Sequence, residues 1–326
     1  MKSLFRLSLA TALIWAVGCE SPSVPEPSSS TSAQALEQLN GFDPLPRSFD
    51  WAMAERFPTD RDGDGVRDIR EDAAYLRPES FDVTLDGCPQ STPTMNGASY
   101  GYTWHLKRER DANDTWQVTL PNRGCRFTHT FPGQGPYQVT LTVQGPSATK
   151  QYVQRVVLKD WLIVSLGDSY GSGEGAPDIH GENTNFPARW ADERCHRSYK
   201  AGAALAARRL EETDPHTSVT FLSLACSGAT ISRPTYNQGQ FDTFSTNGSY
   251  QGSGILGKYI GIVPPSPTDG PWTSDQFLPS QMERLQQLVQ TRRIDALILS
   301  AGGNDMGFGD VLKHCAVTDD CHEGPF

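Results

Sequence analysis

Three short apolar runs, each closed by a small polar tip, constrain the C-terminal half of this chain more than any other feature in it. The first is Trp161 to Leu166, which stops at Gly167-Asp168-Ser169 and enters a Gly/Ser-rich turn. The second, Val219 to Leu224, ends in Ala225-Cys226-Ser227-Gly228-Ala229-Thr230. The third, Ala296 to Leu299, ends in Gly302-Gly303-Asn304-Asp305. Such runs are too short to be helices on their own and predict strands buried in a parallel sheet. Helical patterns separate them. An alanine- and leucine-rich stretch from about Tyr199 to Glu212 predicts one helix. Ser280-Gln281-Met282-Glu283 makes a capping box ahead of Met282, Leu285, Leu288 and Val289 at helical spacing, a stripe that predicts core. Strand–helix alternation implies right-handed crossovers, so all three tips are expected on one sheet edge.

Open α/β sheets place reactive groups at the carboxyl ends of their strands. Here that edge gathers the hydroxyl of Ser169, the approachable backbone of Gly228 and the amide of Asn304. A nucleophile beside hydrogen-bond donors aimed at a developing oxyanion is the content of an acyl-transfer site. The three tips, GDSYGSGEG, ACSGAT and GGND, resemble in order the blocks of the GDSL/SGNH hydrolases, a family of serine esterases and lipases. The resemblance implies a flavodoxin-like parallel sheet across residues 159–326. It implies that Ser169 is the nucleophile and that its own N–H, Gly228 and Asn304 form the oxyanion hole. Carboxylic esters would be hydrolysed through an acyl-enzyme with no cofactor for catalysis, and lipid, acylated glycan and small esters are equal candidates as substrate. Ser169 does not sit in a GxSxG elbow, which disfavours the α/β-hydrolase fold.

A serine at neutral pH needs a base, and the resembled family supplies a histidine in a DxxH block well beyond the asparagine block. Asp319-Asp320-Cys321-His322 spells DxxH, but it follows Asn304 too closely for the further strand–helix unit the family places between them. His314 adjoins Cys315, and His180, His196 and His216 show no partner pattern. The expectation is a hydrolase domain truncated at its C-terminus, lacking its catalytic histidine in this reading frame and turning over little or nothing. The rival expectation is a non-catalytic surface lipoprotein that binds polysaccharide or a protein partner. Thr235 to Pro279, rich in Gly, Pro, Ser and aromatics, reads as a lid or binding loop. Within it, Gly254 to Pro265 is a candidate pocket lining or flap.

The chain opens with Lys2 and Arg6 ahead of an apolar run from Leu7 to Val17, too short to span a membrane and suited to a secretory signal over residues 1–18. Ala16-Val17-Gly18-Cys19 resembles a bacterial lipobox, which implies lipidation at Cys19; ordinary cleavage near Gly18 is the alternative. Residues 19–47 read as a disordered tether, Ser/Pro/Glu-rich between Glu20 and Gln34. The expected location is the bacterial cell envelope or the medium, with the membrane reached through the N-terminal lipid alone. A net charge of −10 with no basic run disfavours nucleic acid as a partner.

Seven cysteines fit export. Setting Cys19 aside leaves six, for which fifteen pairings exist; locality favours Cys88–Cys125, Cys195–Cys226 and Cys315–Cys321. Residues 48–79 form a helical or calcium-loop-like segment. Asp60, Asp62, Asp64 and Asp68 stand at loop positions 1, 3, 5 and 9, with a glycine at 6 and Glu71 at 12, a spacing that suits a structural Ca2+ site. It resembles EF-hand and thrombospondin type 3 loops, although Arg67 stands where an EF-hand has an apolar residue. Residues 80–158 alternate with period two at Phe81, Val83 and Leu85, and again at Tyr137, Val139, Leu141 and Val143. Trp104 and Cys125 suit the interior of an immunoglobulin-like β-sandwich. His129 to Val143, with Tyr102 to Trp104, is similar to a PKD-like domain, which suggests cell-surface polysaccharide as a partner. The predicted fold is thus an all-β sandwich followed by an α/β domain.

Overall fold

A computed structural model describes residues 48–88, 100–111, 113–145, 148–184, 186–231, 254–256, 278–306 and 315. The period-two segments are strands. β1 (Asp50–Met53), β2 (Phe81–Asp86) and β5 (Arg126–Phe131) pair antiparallel in the order β1-β2-β5. β3 (Gly101–Arg108), β4 (Gln117–Arg123), β6 (Gly135–Gln144) and the first half of β7 (Thr149–Gly167) form a second antiparallel arrangement, β4-β3-β6-β7. Alternate residues of a strand point to opposite faces, and the inward sets of both sheets meet in one core. Val83, Leu85, Trp104, Tyr137, Val139, Leu141 and Val143 are all completely buried there. The Trp104 ring meets Phe49 and Phe127 edge-on at 5.2 and 5.6 Å. Each such buried large side chain contributes about 1.5–3 kcal/mol relative to leaving it in water.

β7 does not stop where this core ends. Through Leu158 it pairs antiparallel with β6; from Lys159 it pairs parallel with β8 (Thr217–Ser223), and from Ile163 with β9 (Ala296–Ser300). A boundary between residues 158 and 159 therefore falls inside a single strand of 19 residues. The physical reason is that the alternating pattern before it and the apolar run after it are both extended, with no Gly or Pro between them to break the chain. At the changeover lies Asp160, fully buried. It accepts hydrogen bonds from the Ser218 and Thr220 hydroxyls (2.9 and 2.7 Å) and pairs with Arg292 at 2.8 Å and Arg56 at 3.4 Å. A buried carboxylate persists only when so compensated.

The parallel strands lie in the order β8-β7-β9. On one face Leu162, Val164 and Leu166 of β7 pack against Leu285 and Val289 of α4 (Gln281–Val289), with Tyr75 and Leu76 of α1 (Ala73–Leu76). On the other face Ile163 and Phe221 pack against Ala204 and Ala207 of α3 (Gly202–Thr213). The molecule is thus a mixed, sheet-rich α/β fold with few helices. The N-cap half of the capping box forms, Ser280 Oγ accepting the Glu283 N–H at 3.1 Å, while the Glu283 carboxylate accepts from Gln287 Nε2 at 3.4 Å.

Two expectations need correction. Ala296 to Leu299 form a strand, but not a buried one: Leu297 and Leu299 are 54% and 59% exposed. Among the described residues β9 pairs with β7 alone, and an edge strand with one neighbour lacks the cover that a central strand receives. Met282, placed in the apolar stripe of α4, is 37% exposed, while Leu285 and Val289 carry the packing.

Candidate functional site

β7 reaches the sheet edge at Gly167. Its φ is +138°, and a Cβ there would lie 1.9 Å from the Ser300 carbonyl oxygen, so only glycine lets β9 close against the end of β7. Gln281, buried in the first turn of α4, grips this residue from both sides: its Oε1 accepts the Gly167 N–H and its Nε2 donates to the Gly167 carbonyl, each at 2.7 Å. The Cys226 N–H donates to the same carbonyl at 3.0 Å. Asp168 then joins the first tip to the third. Its N–H donates to the Ser300 carbonyl at 2.9 Å, and its Oδ1 accepts the Ser300 hydroxyl at 3.1 Å.

Asp168 also caps α2 (Ser169–Ser172) by accepting the Tyr170 N–H at 3.1 Å. Ser169 is the first residue of that turn and is half-buried. Its carbonyl accepts the Gly173 and Glu174 N–H groups at 3.1 and 3.0 Å and the Ser172 hydroxyl at 3.2 Å. The turn is fixed by its own hydrogen bonds and by the end of β9.

The second tip follows β8. Gly228 has a φ of +81°, a conformation that favours glycine, and a turn closes around it with the Ala229 N–H donating to the Cys226 carbonyl at 3.0 Å. The Cys195–Cys226 disulfide and a Ser227 N–H bond to the Cys195 carbonyl (3.0 Å) tether it. The third tip reaches across: Asn304 Nδ2 donates to the Ala229 carbonyl at 2.9 Å, and the Asp305 carboxylate accepts the Ile231 N–H at 3.0 Å. Position 303 lies at van der Waals distance from Asp168, a Cβ built there meeting Oδ2 at 3.9 Å. Ser169, Gly228 and Asn304 therefore each take part in, or stand one residue from, a contact that joins two tips. Asn304 has two amide hydrogens, and among the described residues one of them is used, on Ala229.

The remaining predicted residues distribute as follows. Asp60, Asp62 and Asp64 bring carboxylate oxygens within 4.8 Å of one another on the surface. Asp68 turns to Arg61 (2.9 Å), while Glu71 bridges Arg197 and Arg284 at 3.1 and 2.7 Å. Asp64 also pairs with Arg189. The loop thus assembles three of its five carboxylates, and guanidinium groups hold those at positions 9 and 12. Asp60 spends its oxygens on the N–H groups of Gly63 (2.7 Å) and Gly65 (2.8 Å), so the turn closes on backbone donors. Cys88 is bonded to Cys125 and Cys195 to Cys226. Cys315 is half-buried; Cys321, His314, His322, Cys19 and most of Thr235 to Pro279 lie outside the described residues. His196 is held by Glu174 and His216 by Asp50.

A cavity of about 200 Å³ opens behind the tips, lined by Glu71, Cys195, Arg197, Leu224, Gln281 and Arg284 among others. The sequence marked Gln281 only as a letter of the capping box and Asp168 only as a letter of a turn. Their roles at the strand ends rest on contacts across 114 and 132 positions, which no local pattern encodes.

No family model and no curated protein matches this chain. Among solved structures, a carbohydrate acetylesterase from Xanthomonas citri superposes with a TM-score of 0.18 and 13% identity, over 69% of this chain and 48% of that one. The chain spans about half the length of that structure, and a superposition this loose carries no argument about fold or activity.

Proposed function

We propose that this protein is a serine ester hydrolase of the GDSL/SGNH kind, with Ser169 as nucleophile and Gly228 and Asn304 as oxyanion donors. One observation carries the reading: the ends of three parallel strands are cross-linked by Asp168–Ser300, Asn304–Ala229 and Cys226–Gly167 hydrogen bonds, which keeps those three residues on one edge. In the proposed reaction the Ser169 hydroxyl oxygen attacks the ester carbonyl carbon while its proton leaves to a base. The tetrahedral oxygen is held by the N–H groups of Ser169 and Gly228 and by Asn304 Nδ2, and the alcohol departs to leave an acyl-serine that water hydrolyses. Each oxyanion donor is worth about 3–4 kcal/mol of barrier. Among the described residues no histidine is hydrogen-bonded to Ser169, so no base is assigned.

The two disulfides fit an exported protein, and we read the two-sheet N-terminal part as an immunoglobulin-like, PKD-like spacer behind a lipid anchor at Cys19. Acylated glycan, lipid and small esters all remain substrates of this reading. The test is p-nitrophenyl acetate hydrolysis by wild type and Ser169→Ala. The wild type should exceed the variant; equal rates remove the hydrolase reading and leave a surface binding protein.

A further inference from the structure

Beside the three tips, a fourth segment carries a feature that the proposed reaction does not use. Residues 195–198 touch both the Ser169 turn and the Gly228 turn. The Ser198 N–H donates to the Ser172 carbonyl at 2.9 Å, and the Cys195 carbonyl accepts the Ser227 N–H at 3.0 Å. Between those two contacts stands His196. Its Nδ1 faces both oxygens of Glu174, at 2.9 and 3.1 Å. A carboxylate only accepts, so Nδ1 carries the proton and donates. The ring lies flat on Trp190, with centroids 4.5 Å apart and planes 3° from parallel, which fixes its orientation. Glu174 in turn donates its backbone N–H to the Ser169 carbonyl at 3.0 Å. His196 does this from a backbone φ of +48°, in the left-handed region, which histidine, like asparagine and aspartate, enters more often than other non-glycine residues. Residues held in such conformations collect at functional sites, where the surroundings impose them.

We propose that His196, acting through Glu174, is a positioning residue: a clasp that holds the Ser169 turn in register with the Gly228 turn. The inference rests on the reading of Ser169 and Gly228 as parts of one reactive edge. The clasp works by closing a ring of contacts from Ser169 through Glu174, His196 and Cys195 to Ser227. Opening it loosens the Ser169 turn on the side that β9 does not hold, where the Ser198–Ser172 backbone bond then remains. Displacements of about 1 Å in such a turn lower reaction rates by up to about 100-fold without touching the reacting atoms.

The chemistry of the position selects the variants. His196→Asn keeps a donor at the place of Nδ1 and tolerates the left-handed backbone. His196→Gly tolerates the backbone and loses the donor, and His196→Ala loses both. His216, which contacts Asp50 at 3.1 Å on a different part of the surface, supplies the control His216→Ala. Hydrogen exchange by mass spectrometry on the full chain reads the Gly173, Glu174 and Ser227 amides. We expect exchange about fivefold faster in His196→Gly and His196→Ala, the upper end for loss of a solvent-exposed carboxylate contact. His196→Asn should stay within about twofold of wild type, as should His216→Ala. Fluorophosphonate labelling of Ser169 should show the bond-forming rate about tenfold lower in His196→Gly, with reagent affinity unchanged. Unchanged exchange in His196→Gly overturns the clasp, as does His196→Asn behaving like His196→Gly. A wild type that is not labelled at Ser169 removes the nucleophile reading instead, and the exchange result still decides the clasp.

Discussion

Replacing Gln281 by leucine removes a polar side chain that sits at the centre of the strand ends, and its cost follows from counting partners. The Gly167 carbonyl loses the Gln281 Nε2 donor but keeps the Cys226 N–H at 3.0 Å, so it remains satisfied and the loss is about 1 kcal/mol. The Gly167 N–H loses its acceptor, and an orphaned buried donor costs about 1–3 kcal/mol. The total is about 2–4 kcal/mol, partly offset by the apolar area that leucine buries. Urea denaturation followed by tryptophan fluorescence measures it as a lower midpoint with unchanged slope. Gln281→Glu separates hydrogen bonding from shape. An ionised carboxylate still accepts from the Gly167 N–H but meets the Gly167 carbonyl without a proton to donate. Burial and that carbonyl raise the introduced carboxyl's pKa above its unfolded value. The variant is therefore destabilised at neutral pH and recovers relative to wild type as the pH falls through the raised pKa, where the protonated acid both donates and accepts. A Gln281→Leu stability within about 0.5 kcal/mol of wild type, the range of an ordinary surface substitution, or a Gln281→Glu deficit that does not vary with pH, would mean that Gln281 does not hold Gly167 through these two bonds.

Asp295 supplies a second pH-dependent test. Burial opposes its ionisation, but the Lys159 ammonium at 2.6 Å and the Leu162 N–H at 3.0 Å outweigh it and hold the carboxyl below its ordinary 3.8. A depressed carboxylate contributes stability above its unfolded pKa that is lost as the pH falls through the folded one. Asp295→Asn should therefore cost about 1–2 kcal/mol at pH 7, and the deficit should shrink as the pH falls below 3.8, read by denaturation across that range. The paired variant Cys195→Ser/Cys226→Ser opens a loop with a sequence separation of 31. Loop-closure entropy makes that about 3–4 kcal/mol, seen as a lower unfolding temperature, whereas an unchanged temperature contradicts it. Trp104→Ala should cost about 3–5 kcal/mol in the same assay, because its ring is enclosed by Phe49, Phe127 and Leu141.

The elements read from the sequence correspond to the parts of the fold that local physics decides. Phe81-Val83-Leu85 and Tyr137 to Val143 alternate because each strand has one wet and one dry face, and those residues are the dry ones. The apolar runs at Trp161 and Val219 became neighbouring parallel strands because a run buried on both faces has few other solutions. What stayed illegible depends on distant partners. Nothing in Lys159-Asp160 announces that the strand continues from one core into the next, since continuity is decided by what Ser218, Thr220 and Arg292 offer Asp160. Leu297 and Leu299 read as core because their letters are apolar, but exposure depends on neighbours that a sequence window does not contain. The candidate site divides the same way. Ser169, Gly228 and Asn304 were visible as strand tips, whereas Gln281 and the His196–Glu174 contact were not. The loop at Asp60 divides in the same manner: its spacing brings Asp60, Asp62 and Asp64 together, whereas Asp68 and Glu71 go to Arg61, Arg197 and Arg284, partners that the spacing does not encode.

The most direct measurement is peptide mapping of the full chain after reaction with a fluorophosphonate, comparing wild type, Ser169→Ala and Asn304→Ala. One adduct is expected, on the peptide containing Ser169, absent in Ser169→Ala and forming about 100-fold more slowly in Asn304→Ala. An unmodified Ser169, or an adduct whose rate ignores the loss of Asn304, contradicts the roles given to Ser169 and Asn304.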